Sequence, residues 1–179
     1  MKRVLFILFL MSSLGFTNLH AQLLALKTDA LLDCAMTPNL GFELVTGEKT
    51  SLNASVFGNY KPWGVNMKMV GILPEFRYWF NGRPLVREFI GLSALGVTYD
   101  MTWGKEKYKG DATGVGITFG YAFYISPHWC LECHAGLGAV YYSHKHHYIE
   151  DYKVKDLYNA NGYALVPYKV GVSFTYIIK

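Results

Sequence analysis

The sequence predicts an all-β fold, an eight-stranded antiparallel up-and-down transmembrane β-barrel. Three observations carry that prediction. From Leu23 onward, β-branched and aromatic residues recur at every second position with glycine, serine, threonine or alanine between them, which is the chemistry of strands. Segments of this kind number eight, an even count as in single-chain bacterial barrels. Nothing after residue 22 reads as a helix long enough to span a bilayer, so a chain that is 51% hydrophobic and only 17% charged enters a membrane as a closed barrel or not at all.

The chain opens with Met1-Lys2-Arg3, continues with the apolar run Val4 to Leu10, and reaches a small and polar stretch ending Leu19-His20-Ala21-Gln22. This is the order of a secretory signal peptide over residues 1–21, leaving residues 22–179 as the barrel domain. The apolar run is far shorter than the ~20 residues of a spanning helix. No cysteine follows the expected cleavage site, so a lipid anchor is not expected there. Cleavage removes Lys2 and Arg3 from 17 basic residues, and the fifteen that remain exceed 13 acidic ones by two. A charge so near balance offers no reason to expect a nucleic-acid partner.

The eight segments run over about 23–33, 39–46, 49–59, 70–80, 87–100, 111–124, 129–143 and 162–178. The sixth is the clearest: Val115, Ile117, Phe119, Tyr121 and Phe123 face one way, while Gly116, Thr118, Gly120 and Ala122 face the other. In the seventh, Trp129, Leu131, Cys133, Ala135, Leu137, Ala139 and Tyr141 alternate with Cys130, Glu132, His134, Gly136, Gly138 and Val140. In the eighth, Tyr168, Val170, Val172, Phe174, Tyr176 and Ile178 alternate with Lys169, Gly171, Ser173 and Thr175. The fourth sets Phe76, Tyr78 and Phe80 against Glu75, Arg77 and Trp79.

Connections alternate between short (47–48, 81–86, 125–128) and long (60–69, 101–110, 144–161), as periplasmic turns and outer loops do. The first outer connection, Cys34 to Pro38, is the short exception. Aromatic residues near strand ends form two expected girdles, with Tyr60, Trp63, Tyr99, Tyr141 and Tyr168 at one end and Phe80, Phe89, Phe123, Trp129 and Tyr176 at the other. A soluble calyx would share the period, but its outer face would be rich in Lys and Glu, whereas the minority face here is mostly Gly, Ser, Thr and Ala. Pro74 and Pro167 fall early in descending strands of a barrel that has no free edge, and each calls for a bulge or a frayed rim.

Several blocks resemble a known family: Leu26-Lys27-Thr28-Asp29 with Leu31-Leu32-Asp33, Thr37-Pro38-Asn39, Lys61-Pro62-Trp63, Pro74-Glu75-Phe76-Arg77-Tyr78-Trp79-Phe80, Gly120-Tyr121, and Trp129 with Leu131-Glu132. The chain is similar along essentially its whole mature length to the Bacteroidetes family catalogued as domain of unknown function 3575. Asp29 stands where Asn is usual, and Lys61 replaces the Asn usual before Pro-Trp. The resemblance implies a small outer-membrane barrel, often encoded near fimbrial-subunit genes, with no established activity. A role in fimbrial assembly or envelope organisation follows from it only by association.

Lys27, Asp29, Glu43, Glu75, Arg77, Glu132, His134 and Lys169 all fall on the small face by parity. Charges in a narrow lumen must pair, because desolvating each alone costs several kcal/mol. An ion or proton path would use such residues. A salt-bridge network filling the interior is the reading adopted, since eight strands leave a lumen only wide enough for side chains.

His144, His146 and His147 are the candidate metal ligands, beside Tyr148, Glu150 and Asp151 in the longest outer loop, but no further ligand lies at a diagnostic spacing. No metal and no cofactor is expected. The Cys130 and Cys133 thiols of a C-x-x-C spacing point to opposite faces in a strand, with Cys133 toward lipid, and Cys34 leaves the count odd. Ser143-His144 is the only pair placed for lipid A chemistry, and adjacent strand residues point apart. The expectation is therefore a non-enzymatic protein in the outer membrane of a Gram-negative bacterium. Its partners would be outer-membrane lipids and fimbrial or other envelope proteins. A lipid A-modifying barrel enzyme and a soluble secreted barrel for an apolar ligand are the alternatives.

Overall fold

The computed structural model describes residues 23–103, 106–148 and 160–178. The expected signal peptide lies outside the described residues. Eight antiparallel strands follow in chain order: β1 (Leu24–Asp29), β2 (Asn39–Val45), β3 (Thr50–Tyr60), β4 (Met67–Trp79), β5 (Arg87–Trp103), β6 (Glu106–Ser126), β7 (Trp129–Tyr148) and β8 (Ala160–Ile178). Each pairs with its sequence neighbour, and β1 closes on β8 through registers such as Leu24 with Ile178 and Asp29 with Ser173. This is the closed up-and-down barrel expected from the period-two pattern. The start of β1, the end of β8 and the turns 46–49, 80–86 and 127–128 lie at one rim, called here the terminal end.

The first strand is shorter than its sequence pattern. At Asp29 the carboxylate accepts the backbone N–H groups of Leu31 and Leu32 at 2.9 and 3.1 Å, capping a short helix, α1 (Ala30–Cys34), where the alternation predicts strand to residue 33. The far end differs in the opposite sense. Within the expected loops 101–110 and 144–161, residues 101–103, 106–110 and 144–148 are backbone ladder instead: β5 runs to Trp103, β6 begins at Glu106, and β7 continues to Tyr148. Polar side chains such as Lys107 and Lys109 read as loop, but the ladder bonds are made by the main chain and continue regardless of what the side chains carry. At 21 residues, β6 is about twice the length a barrel strand needs to cross a bilayer, so the β5–β6 and β6–β7 ladders project beyond the rim set by the shorter β1 and β2.

The two prolines interrupt the ladder in different ways. Gly136 pairs with Lys169 and Leu137 with Pro167, so Tyr168 is an extra residue in β8, the bulge that a proline without an N–H calls for. No bulge forms at Pro74; there the β4–β5 ladder steps from Ile72–Gly96 to Glu75–Ser93 with the register unchanged.

Inside and outside divide by parity. The outer face is apolar and exposed, including Phe42, Leu52, Ile72, Leu92, Val115, Ile117, Phe119, Leu137 and Phe174. Tyr60, Trp63, Tyr141, Phe80, Phe123, Trp129 and Tyr176 also lie outside near the rims. Three aromatic residues expected in the girdles face inward instead. Phe89 is 1% exposed and packs on Trp79 with ring centroids 4.8 Å apart. Tyr99 is half-buried and shares a strand face with Leu95 and Val97 of the lumen. The bulge turns Tyr168 into the lumen, where its hydroxyl meets Ser93 and Thr118.

Candidate functional site

The lumen is layered from the terminal end outward. First comes an apolar plug of Ala25, Trp79, Leu85, Phe89, Ala122 and Ile177. Leu85 reaches it from the β4–β5 turn, where its φ of 65° bends the chain inward, so a turn residue closes this end of the barrel. Trp79 Nε1 donates to Ser51 Oγ at 2.8 Å, and that hydroxyl donates to Glu43 Oε1 at 2.5 Å, joining the plug to the layer above it.

That layer is ionic. Arg77 sits at its centre, 1% exposed, with Nη1 2.9 Å from Glu43 and 2.9 Å from Glu132, and Nη2 2.7 Å from Glu75. Its guanidinium carbon lies 4.4 Å from the Phe89 ring centroid, so the cation also rests on the plug. Lys27 bridges Glu43 and Glu132, the latter at 2.5 Å, and Lys169 reaches Glu75 at 2.7 Å. His134 Nε2 is 3.3 Å from Asp29, and its Nδ1 is 3.4 Å from Glu132.

All eight residues singled out by parity thus meet in one connected layer, and seven of them are less than a tenth exposed. The contacts cross the lumen. Arg77 on β4 reaches Glu132 on β7, strands that share no ladder, and Lys27 on β1 reaches the same carboxylate. A fork-shaped guanidinium with several donors suits this position, because one cation must satisfy three carboxylates arriving from different directions.

Asp29 ties the layer to the local structure at the far rim. One carboxylate oxygen caps α1 while the other faces His134 and, at 3.4 Å, Ser173 Oγ. Asn39 completes the corner by accepting the Asp29 N–H at 2.7 Å and donating to Asp33 at 3.0 Å, and Thr28 donates to Asp33 at 2.7 Å. The Thr28, Asp29, Asp33 and Asn39 positions of the family resemblance therefore form one hydrogen-bonded corner. Gly171 leaves the space for it, since a Cβ there would collide with Asp29 Oδ2.

Above the ionic layer the lumen is hollow. The expectation of a lumen filled by side chains holds for the terminal half, but the far half encloses a cavity of about 500 Å³. Its wall includes Leu73, Leu95, Val97, Val140 and Val166. The reason is side-chain size: small residues such as Gly41, Ser55 and Ala112 line it where Trp79 and Phe89 fill the terminal half.

Sequence reasoning missed Ser51, Asn53, Ser93, Thr118 and Tyr168 as members of the interior network. The first four were available from parity, since Ser51 and Asn53 alternate with Leu52 and Ala54, while Ser93 shares a face with Gly91 and Thr118 with Gly116; Tyr168 was not, because the bulge reverses its parity. The β7 backbone carries His144, His146 and His147 in a strand rather than a loop, and their side chains lie outside the described residues, as do residues 149–159. Cys130 is buried in the lumen and Cys133 is exposed on the outer face. Ser143 and His144 are consecutive residues of β7.

A family model described as "Protein of unknown function (DUF3575)" matches residues 5–178. No curated protein and no solved structure matches the chain.

Proposed function

The chain belongs to the DUF3575 family, and from that premise we propose that it is a non-enzymatic outer-membrane β-barrel protein, exported by its signal peptide, that displays the far-end hairpins at the cell surface. One observation carries the proposal: the polarity of the barrel is inverted relative to a soluble calyx. Side chains at Val115, Ile117, Leu137 and Leu165 are 47–78% exposed on the outside, while four carboxylates and three cations are buried inside. Exposed apolar surface on this scale would drive association in water and is satisfied by hydrocarbon. Aromatic residues near both rims on the outside fit the two interfaces of a bilayer.

Single cysteines at Ile117 and Thr118, in a background lacking Cys34, Cys130 and Cys133, test this reading. With the protein folded into bilayers, a quencher confined to the hydrocarbon should strongly quench a fluorophore at position 117 and weakly quench one at 118. Equal quenching, or the reverse order, would reject it.

The short turns then face the periplasm and the extended hairpins face outward, an arrangement suited to an accessory of envelope or fimbrial organisation. An epitope tag beside Asp151 should be reached by antibody on intact cells. Labelling only after permeabilisation would invert the orientation. Loss of the gene should alter surface fimbriation or envelope integrity and leave the mass spectrum of lipid A unchanged.

A further inference from the structure

The cavity in the far half of the lumen has a composition that a structural void does not need. At about 500 Å³ it falls within the size range of small-molecule sites, about 300–1,000 Å³. Leu73, Leu95, Val97, Val140 and Val166 make its wall apolar, while its floor is the upper side of the ionic layer, with Lys27, Asp29, Asn53, Arg77, His134 and Lys169. An apolar wall over a polar floor matches a molecule with an apolar body and one polar end.

The floor also specifies that end. Asn53 is 3% exposed, and its amide Nδ2 donates to Ser55 Oγ and Glu75 Oε2, both at 3.4 Å, which orients the amide and leaves Oδ1 without a partner. A buried acceptor left unmatched costs about 1–3 kcal/mol, so it favours a guest that brings a donor. Charge points the same way. The layer holds the carboxylates Asp29, Glu43, Glu75 and Glu132 against the cations Lys27, Arg77 and Lys169, with His134 as a fourth cation only when protonated. The three cations that line the cavity are already engaged by Glu43, Glu75 and Glu132, so a guest carboxylate would add a fifth negative group with no free cation to meet it, and an amine or hydroxyl would not.

Tyr168 keeps the chamber in shape. The bulge swings its ring over Gly116 and Gly138, where a Cβ would collide with it, and Ser93 and Thr118 hold its hydroxyl. Its ring lines the cavity without filling it.

We propose that this cavity binds a compact amphiphile, with an aliphatic body against Leu73, Leu95, Val97, Val140 and Val166 and a hydrogen-bond-donating head, amine or hydroxyl, on Asn53 Oδ1. The site lies inside the barrel, so the inference goes beyond the functional reading above and does not depend on which solvent meets the outer face.

The mature chain, refolded into phosphatidylcholine nanodiscs, is titrated with decylamine, decanol and decanoate while methyl NMR signals are followed. Leu95, Val97, Val140 and Val166 report the cavity; Leu92, Ile117 and Leu137 report partition into the bilayer. The inner methyls should shift saturably, with decylamine and decanol at least about tenfold tighter than decanoate. Val140→Trp should abolish the inner shifts in a barrel that still folds, and Leu95→Phe, a smaller intrusion, should weaken them if that variant does not fold. Asn53→Leu should bring the three probes to similar affinity by removing the acceptor. Non-saturating shifts equal on inner and outer methyls, decanoate binding as tightly as decylamine, or undiminished binding to the cavity-filling variants would each overturn the proposal. A chain that stays in water instead of entering nanodiscs would contradict the membrane reading alone, and the same titration on that soluble protein would still decide the site.

Discussion

The terminal half of the lumen is solid and the far half is hollow, although the same eight strands wall both. In the terminal half, Trp79, Phe89 and Leu85 fill the space, and the ionic layer around Arg77 seals it. In the far half the inward positions carry smaller groups, among them Gly41, Ser55 and Ala112, and a cavity remains. Barrel diameter follows from strand number and stagger. Whether the interior is a core or a chamber is therefore set by the size of the inward side chains at each level.

Breaking the seal should have the largest effect. Arg77→Leu strands Glu43, Glu75 and Glu132 in a buried layer without their shared cation, at an expected cost of about 3–5 kcal/mol, visible as a lower denaturant midpoint of the refolded barrel. Adding Glu132→Leu to that variant should recover part of the loss, because fewer buried charges are then left unmatched. A cost below about 1 kcal/mol for Arg77→Leu would mean that water, not the protein, satisfies this layer.

The plug comes next. Phe89→Ala removes a ring packed on Trp79 and under the Arg77 guanidinium, and should cost about 3–5 kcal/mol by the same measurement.

On the outer wall, Ile117→Arg should cost about 2–4 kcal/mol in bilayers if that residue meets hydrocarbon. The same variant should fold at least as well as the parent in water if the barrel is soluble, so the sign of the effect separates the two environments.

The comparison between halves is sharpest in the smaller effect expected of Leu95→Ala. Leu95 already borders a cavity, so the substitution should sit at the low end of the range for this change, about 2 kcal/mol. A cost equal to that of Phe89→Ala would show that the far half packs as tightly as the terminal half. The hollow half should still not conduct. Planar bilayers containing the protein should show no steady conductance, because the plug and the ionic layer block the lumen below the chamber; a reproducible ohmic channel would break the seal as described.

Much of the site is legible in the sequence. In a strand the side-chain period is two, so Glu75, Arg77, Glu132, His134 and Lys169 could be assigned to one face from their neighbours alone, and the Gly, Ser, Thr and Ala on that face suit the narrow inside of an eight-stranded barrel. Phe89 was legible by the same rule, since it shares parity with Gly91 and Ser93; reading it as part of a girdle followed its nearness to a strand end rather than its face. The proline at 167 announced a bulge, but not which residue the bulge would turn inward.

By itself, then, the sequence determined the eight alternating strands, the face on which every interior charge lies and the end that bears the short turns, because these depend on local period and turn length. Tertiary structure alone decided that Tyr168 enters the lumen, that one arginine serves three carboxylates, that the 101–103, 106–110 and 144–148 segments continue the ladder, and that half the interior stays empty. Each of these is set by register between strands distant in sequence and by the summed volume of side chains that meet only when the barrel closes, quantities that no single strand carries.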